Sequence, residues 1–159
     1  MNNVSTIKKI VIDKKAELLF RRRAQRRLPK EYVNLLYGYI ERGTAYVCAF
    51  VEIEHKATTK SVEWDDGLQD EHDEYAKEME LEVLGSIHVH PCHTETILSD
   101  GDWRHHLEDP REKIMGVLAV YPKEFNGLSR NVCKVAYWPG VTPIPIEYKK
   151  KRKRNVQAA

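Results

Sequence analysis

The chain has 159 residues, 42% of them hydrophobic, and a net charge of +2, which suits one domain with a sizeable core. No apolar run approaches the length of a membrane span, and the start Met1-Asn-Asn-Val-Ser-Thr-Ile-Lys-Lys9 lacks the hydrophobic stretch of a signal peptide. Cys48, Cys92 and Cys133 are odd in number and widely spaced, which argues against a disulfide framework and suits a reducing compartment, so a cytoplasmic protein without membrane contact is expected.

In chain order, a short strand near Lys9 to Ile12 precedes a basic helix from Lys14 to about Arg27, ended by Pro29, with Leu18, Leu19 and Leu28 as its apolar positions. The stretch from Lys30 to Gly43 reads as a strand and turn, and Thr44 to Ile53 as a second strand, with a hairpin as the simplest connection. From Glu63 to Glu82 there are ten acids against one lysine. Glu71, Glu74, Tyr75, Glu78 and Met79 fall at helical spacings there, so most of these charges are expected on a solvated helix face. Glu82 to His90 is rich in β-branched and apolar residues and reads as a strand stopped by Pro91. An eight-residue loop then leads to Ser99-Asp-Gly-Asp102, small polar residues that mark a helix N-terminus. Ile114 to Tyr121 is a continuous apolar run bounded by Pro122 and predicts a buried strand, while Asn131 to Trp138 alternates as another.

Lys149-Lys-Lys-Arg-Lys-Arg154 is a run of six basic residues in succession; taking them from the net +2 leaves the body at about −4. Without interleaved aromatics they specify no nucleic-acid target, so residues 149–159 read as a disordered solubilising tail and 1–148 as the domain. Strands mixed with two or three helices give an α/β chain of the α+β type, with a mixed central sheet flanked by helices.

The chemistry concentrates between residues 85 and 102. Side chains alternate along a strand, so His88 and His90 project to one face about 7 Å apart along the backbone, near enough to share one ion, while Val89 turns to the core. Asp102, in the first turn of the next helix, can face back to the strand end. Two histidines and a carboxylate match a catalytic zinc that keeps its fourth position for water. Ser99 stands beside them with a hydroxyl donor. Such a His-x-His pair is more often ordinary surface or satisfied core histidine, and Cys92, His93, His105 and His106 compete for the ligand role. Cys92 and His93 follow the turn and His105 and His106 are expected to face solvent; Cys92 is the first substitute should Asp102 not ligate.

Glu31-Tyr-Val-Asn-Leu-Leu-Tyr-Gly38, Leu84-Gly-Ser-Ile-His88-Val-His90-Pro91 and Ser99-Asp-Gly-Asp102 together resemble the signature of the JAMM (MPN-plus, JAB) zinc metalloproteases. That signature is an early Glu before a Gly-Leu-Leu-x-Gly-like strand, then His-x-His-Pro, then Ser-x-x-Asp. The order is right, and the resemblance covers roughly residues 7 to 138. The chain departs from the pattern at Asn34, where a small residue is usual, at Val89 in place of Ser or Thr, and in a His90–Ser99 gap one residue longer than the commonest. None of these removes a ligand.

The resemblance implies a cytidine-deaminase-like JAB/MPN architecture and one catalytic zinc held by His88, His90 and Asp102. It implies that Glu31, which alone reads as a solvated acid at a strand start, is the general acid/base for a zinc-activated water, and that Ser99 donates to the oxyanion. The function implied is an isopeptidase or peptidase cutting after the C-terminal tail of a ubiquitin-like protein, with that protein or its conjugate as partner. The acidic segment before the metal strand would then help position the modifier. The alternatives are a phage-tail or cell-wall-type JAB peptidase and a non-catalytic MPN scaffold. Scaffolds of the family usually lack a ligand, and all five positions are filled here, which favours an enzyme.

Overall fold

The computed structural model describes residues 6–149. Of the basic tail, only Lys149 falls among the described residues. The elements are β1 (Lys9–Asp13), α1 (Lys14–Arg26), β2 (Val33–Glu41), β3 (Thr44–Glu52), β4 (Lys56–Ala57), β5 (Val62–Glu63), α2 (Asp66–Glu78), β6 (Glu82–Pro91), α3 (Asp100–Glu108), β7 (Ile114–Tyr121), α4 (Lys123–Asn126), β8 (Val132–Trp138) and β9 (Ile146–Lys149). Seven strands form one mixed sheet in the order β8-β7-β6-β2-β3-β1-β9, and β4 and β5 pair separately. β1 runs parallel to β3 and β9, and β6 parallel to β7; the remaining pairings are antiparallel. The expected mixed sheet flanked by helices is the one observed.

β2 and β6 sit at the centre, and each buries residues on both faces. On β2, Val33, Leu35 and Tyr37 pack with Ala76 of α2, whereas Leu36 joins Phe20 and Ala24 of α1 on the opposite face. Continuous apolar runs in these strands follow from that double burial. The β2–β3 hairpin turns on Arg42 and Gly43, both at positive φ (51° and 77°), the signature of a two-residue type I′ turn.

α1 starts at Asp13, whose side chain accepts from Ala16 N at 2.9 Å. Its buried stripe is Glu17, Phe20 and Ala24, and Leu18 and Leu19, expected to face inward, are 45% and 42% exposed. The offset has a physical cause: Glu17 tolerates burial because Tyr137 Oη, Tyr148 Oη and Arg21 reach its carboxylate at 2.8, 2.8 and 2.7 Å. Among the described residues no helix is long and apolar enough to cross a membrane.

The parallel pair β6 and β7, joined through α3, decides where a site forms. In such β-α-β units, ligand sites lie beyond the carboxyl ends of the strands, where the following helix begins. Gly85 makes the close pairing possible. Its φ is +151°, and a Cβ there would lie 1.8 Å from the Ile114 carbonyl oxygen. Since β7 backbone cannot give way, Gly85→Ala is expected to destabilise the fold by about 3 kcal/mol or more. Urea unfolding followed by circular dichroism measures this, and an unchanged midpoint contradicts it.

Candidate metal centre

Along β6, Ser86, His88 and His90 occupy one face, while Ile87 and Val89, both fully buried, join the α1-side core. Beyond Pro91 the chain turns at Cys92 (φ 62°), whose N–H donates to Val120 O at 2.7 Å. It then returns to start α3 at Ser99. There the capping box is complete: Ser99 Oγ accepts from Asp102 N at 3.1 Å, and Asp102 Oδ2 accepts from Ser99 N at 2.9 Å. The cap aims the Asp102 carboxylate at the β6 imidazoles.

His88 Nε2 lies 2.9 Å from His90 Nε2. The first stands 3.2 Å from Asp102 Oδ1 and the second 3.2 Å from Asp102 Oδ2. A zinc ion held at about 2.0–2.1 Å by nitrogen and oxygen donors in a tetrahedron sets donor–donor edges of about 3.3 Å, close to these separations. The chemistry of the set agrees. Two buried imidazole nitrogens 2.9 Å apart beside a carboxylate form a donor set that one cation can satisfy. Burial works against the Asp102 charge, but hydrogen bonds from His88 and His90, with the Ser99 N–H, hold its carboxyl well below the usual carboxylate range. The residues present therefore fit a divalent metal with three protein donors.

Glu31 lines the same cavity, of about 690 Å³, as His88, His90, Ser99 and Asp102. Two backbone bonds fix its stretch of chain: Glu31 N donates to Thr58 O at 2.8 Å, and Val89 N donates to Tyr32 O at 3.0 Å. Its side chain is not the solvated acid that a strand start ordinarily supplies, for Glu31 is only 8% exposed. Burial pushes its carboxyl up, partly offset by the His88 and His90 imidazoles. One wall of the cavity, from Thr59 to Trp64, belongs to the β4–β5 ribbon.

The competing ligands separate clearly. Cys92 is exposed and outside the donor group, and His93, on the cavity rim, bonds Pro91 O through Nδ1 at 2.9 Å. His106 does not face solvent as expected, and His105 is half-buried. His106 is buried, with Nδ1 3.1 Å from Glu112 O and Nε2 3.0 Å from Gly140 O, and His105 Nε2 lies 3.0 Å from Glu112 Oε2. Sequence reasoning missed Ser86 and Glu112. Ser86 was within reach, since it shares the period of His88 and His90; nothing local links position 112 to position 86.

The bond to Glu112 raises the His105 pKa above its ordinary 6.5, against the opposing effect of burial. Such a group contributes stability that is fully present below pH 6.5 and is lost as pH rises through the raised value. The stability gap between wild type and His105→Gln, both metal-free, is therefore expected to be wider at pH 5.5 than at pH 8.5 in urea titrations. A gap that widens with pH contradicts this.

No protein-family model matches the sequence, and no curated protein does. Solved structures share its fold. The solution structure of a protein from Desulfitobacterium hafniense has a TM-score of 0.67 at 21% identity, over 92% of this chain and 97% of that one. The crystal structure of a JAB1/MPN domain protein from Archaeoglobus fulgidus has a TM-score of 0.52 at 14% identity, over 89% of this chain and 96% of that one. At these identities the likeness is one of fold: this chain has a fold similar to that of a JAB1/MPN domain, with a His-His-Asp group able to hold a metal.

Proposed function

We propose that the chain is a zinc-dependent peptidase of the JAMM type that cleaves the bond after the C-terminal tail of a ubiquitin-like protein. The observation that carries this reading is the convergence of His88, His90 and Asp102 on one cavity that a buried glutamate, Glu31, also lines. Held by the three side chains, zinc would supply a Lewis acid that polarises the scissile carbonyl and makes water a usable nucleophile at neutral pH. Glu31 takes a proton from the attacking water and delivers it to the amine nitrogen as the C–N bond breaks, a transfer open to a carboxylate that lines the same cavity as the three donors. Ser99 Oγ already accepts from Asp102 N, which leaves its own hydrogen to donate to the carbonyl oxygen as negative charge builds there.

An extended, glycine-ended tail suits a cavity walled by a two-stranded ribbon, because its backbone can lie close to the metal. The modifier's folded body is assigned to α2. Asp70, Glu71 and Glu74 are exposed on that helix, and Asp66 reaches the cavity. Arg111 already pairs with Asp66 and Asp70, at 3.4 and 2.8 Å, and Lys77 stands 3.8 Å from Glu74, so a basic partner would draw on Glu71 and compete with Lys77 for Glu74.

The test is cleavage of a panel of ubiquitin-like fusions and short peptides by zinc-loaded protein. Turnover of at least one fusion, reduced about 10²- to 10³-fold in kcat by Ser99→Ala, is expected. Cleavage of peptides alone favours a cell-wall or tail-assembly peptidase, and zinc uptake without any cleavage leaves a scaffold.

A further inference from the structure

We infer that Glu112, which the reaction itself does not use, is the positioning residue that holds the two halves of the donor triad in register. The inference rests on the metal-site reading above.

The three donors come from two elements, His88 and His90 from β6 and Asp102 from α3. Metal-ligating imidazoles are usually fixed by a hydrogen bond from the second ring nitrogen to an outer partner. That device is missing at His90, whose Nδ1 is buried without a protein partner. Its placement therefore depends on how β6 and α3 are held to one another.

Glu112 makes that connection. Its side chain is fully buried, and Oε1 accepts from both Ser86 N (2.7 Å) and Ser86 Oγ (2.6 Å). Ser86 lies on β6 two residues before His88, on the same face. Glu112 lies two residues before β7, and its carboxylate takes the N–H of Ser86, a β6 residue in register with Met115 of β7. The other oxygen, Oε2, receives His105 Nε2 at 3.0 Å, from a residue one turn along α3 from Asp102. The Glu112 carbonyl takes a further contact from the same helix, at His106 Nδ1 (3.1 Å). One buried residue thus binds the histidine strand by one oxygen and the aspartate helix by the other.

Exchanging the carboxylate for its amide removes the charge. In Glu112→Gln one end of the group still accepts from Ser86, but the other presents an N–H that His105 Nε2 accepts only as the neutral Nδ1–H tautomer, so the charge-assisted bond between helix and strand is lost.

The experiment measures zinc affinity by chelator competition and the visible spectrum of the cobalt-substituted protein, with circular dichroism of the metal-free form as the check on folding. Glu112→Gln is expected to fold, to lose about 10- to 100-fold in zinc affinity, and to shift the cobalt bands. A purely structural role would lower the unfolding midpoint and leave affinity and cobalt spectrum as in wild type; that result overturns the inference. Should Glu112→Gln not fold, His105→Phe severs only the helix side and must show the same direction of loss, unchanged affinity again overturning the inference. Wild type that takes up no zinc removes the metal site and this role with it. Wild type that binds zinc while the variants bind equally well removes the role alone.

Discussion

Glu31→Gln is expected to retain zinc at wild-type affinity and lose roughly 10²- to 10⁴-fold in kcat, the range that a positioned acid/base group supplies. Glutamine has nearly the same shape and fits the same pocket, and the Glu31 N–H bond to Thr58 O is made by backbone and survives. What disappears is the one buried carboxylate, among the described residues, that lines the cavity. Metal content and turnover measured on one preparation separate the two effects. Loss of both together would make Glu31 part of the metal site rather than its base; loss of neither would remove it from the mechanism.

The second large effect is expected at Asp102. Asp102→Asn keeps the side-chain oxygen that caps Ser99 N, so α3 should begin where it does in wild type. The charge facing His88 and His90 is lost, and with it the anionic donor. Zinc affinity should fall by more than the roughly 10- to 100-fold typical of losing an outer-shell partner, and hydrolysis with it. Equilibrium dialysis with zinc checks the first, and circular dichroism checks that the fold persists. An Asp102→Asn protein that binds zinc as wild type does would point to another third donor.

Much of this was legible in the sequence because the relevant signals are local. Period-two alternation placed His88 and His90 on one face of β6 and Val89 in the core, and Ser99 with Asp102 announced a capped helix start. The apolar runs of β2 and β7 and the Arg42-Gly43 turn read correctly for the same reason.

The misses depend on contacts distant in sequence. Leu18 and Leu19 look like the inner face of α1 until Tyr137 and Tyr148, more than a hundred residues on, supply hydroxyls that let Glu17 face inward instead. The β4–β5 ribbon and β9 are too short to show a period; two-residue strands exist only by pairing, and Ile146–Lys149 is a strand because β1 lies beside it. His105 and His106 follow acids and an arginine in a polar helix, and the return of the chain to Glu112 and Gly140 buries His106 and half-buries His105.

The most direct test of the central claim is anomalous diffraction at the zinc edge from crystals of the zinc-loaded protein. The account predicts one ion on His88 Nε2, His90 Nε2 and the Asp102 carboxylate, with a fourth donor that is not protein and with Glu31 facing it. An ion ringed by four protein donors, with Cys92 or His93 completing the set, or an ion bound away from β6, would contradict it.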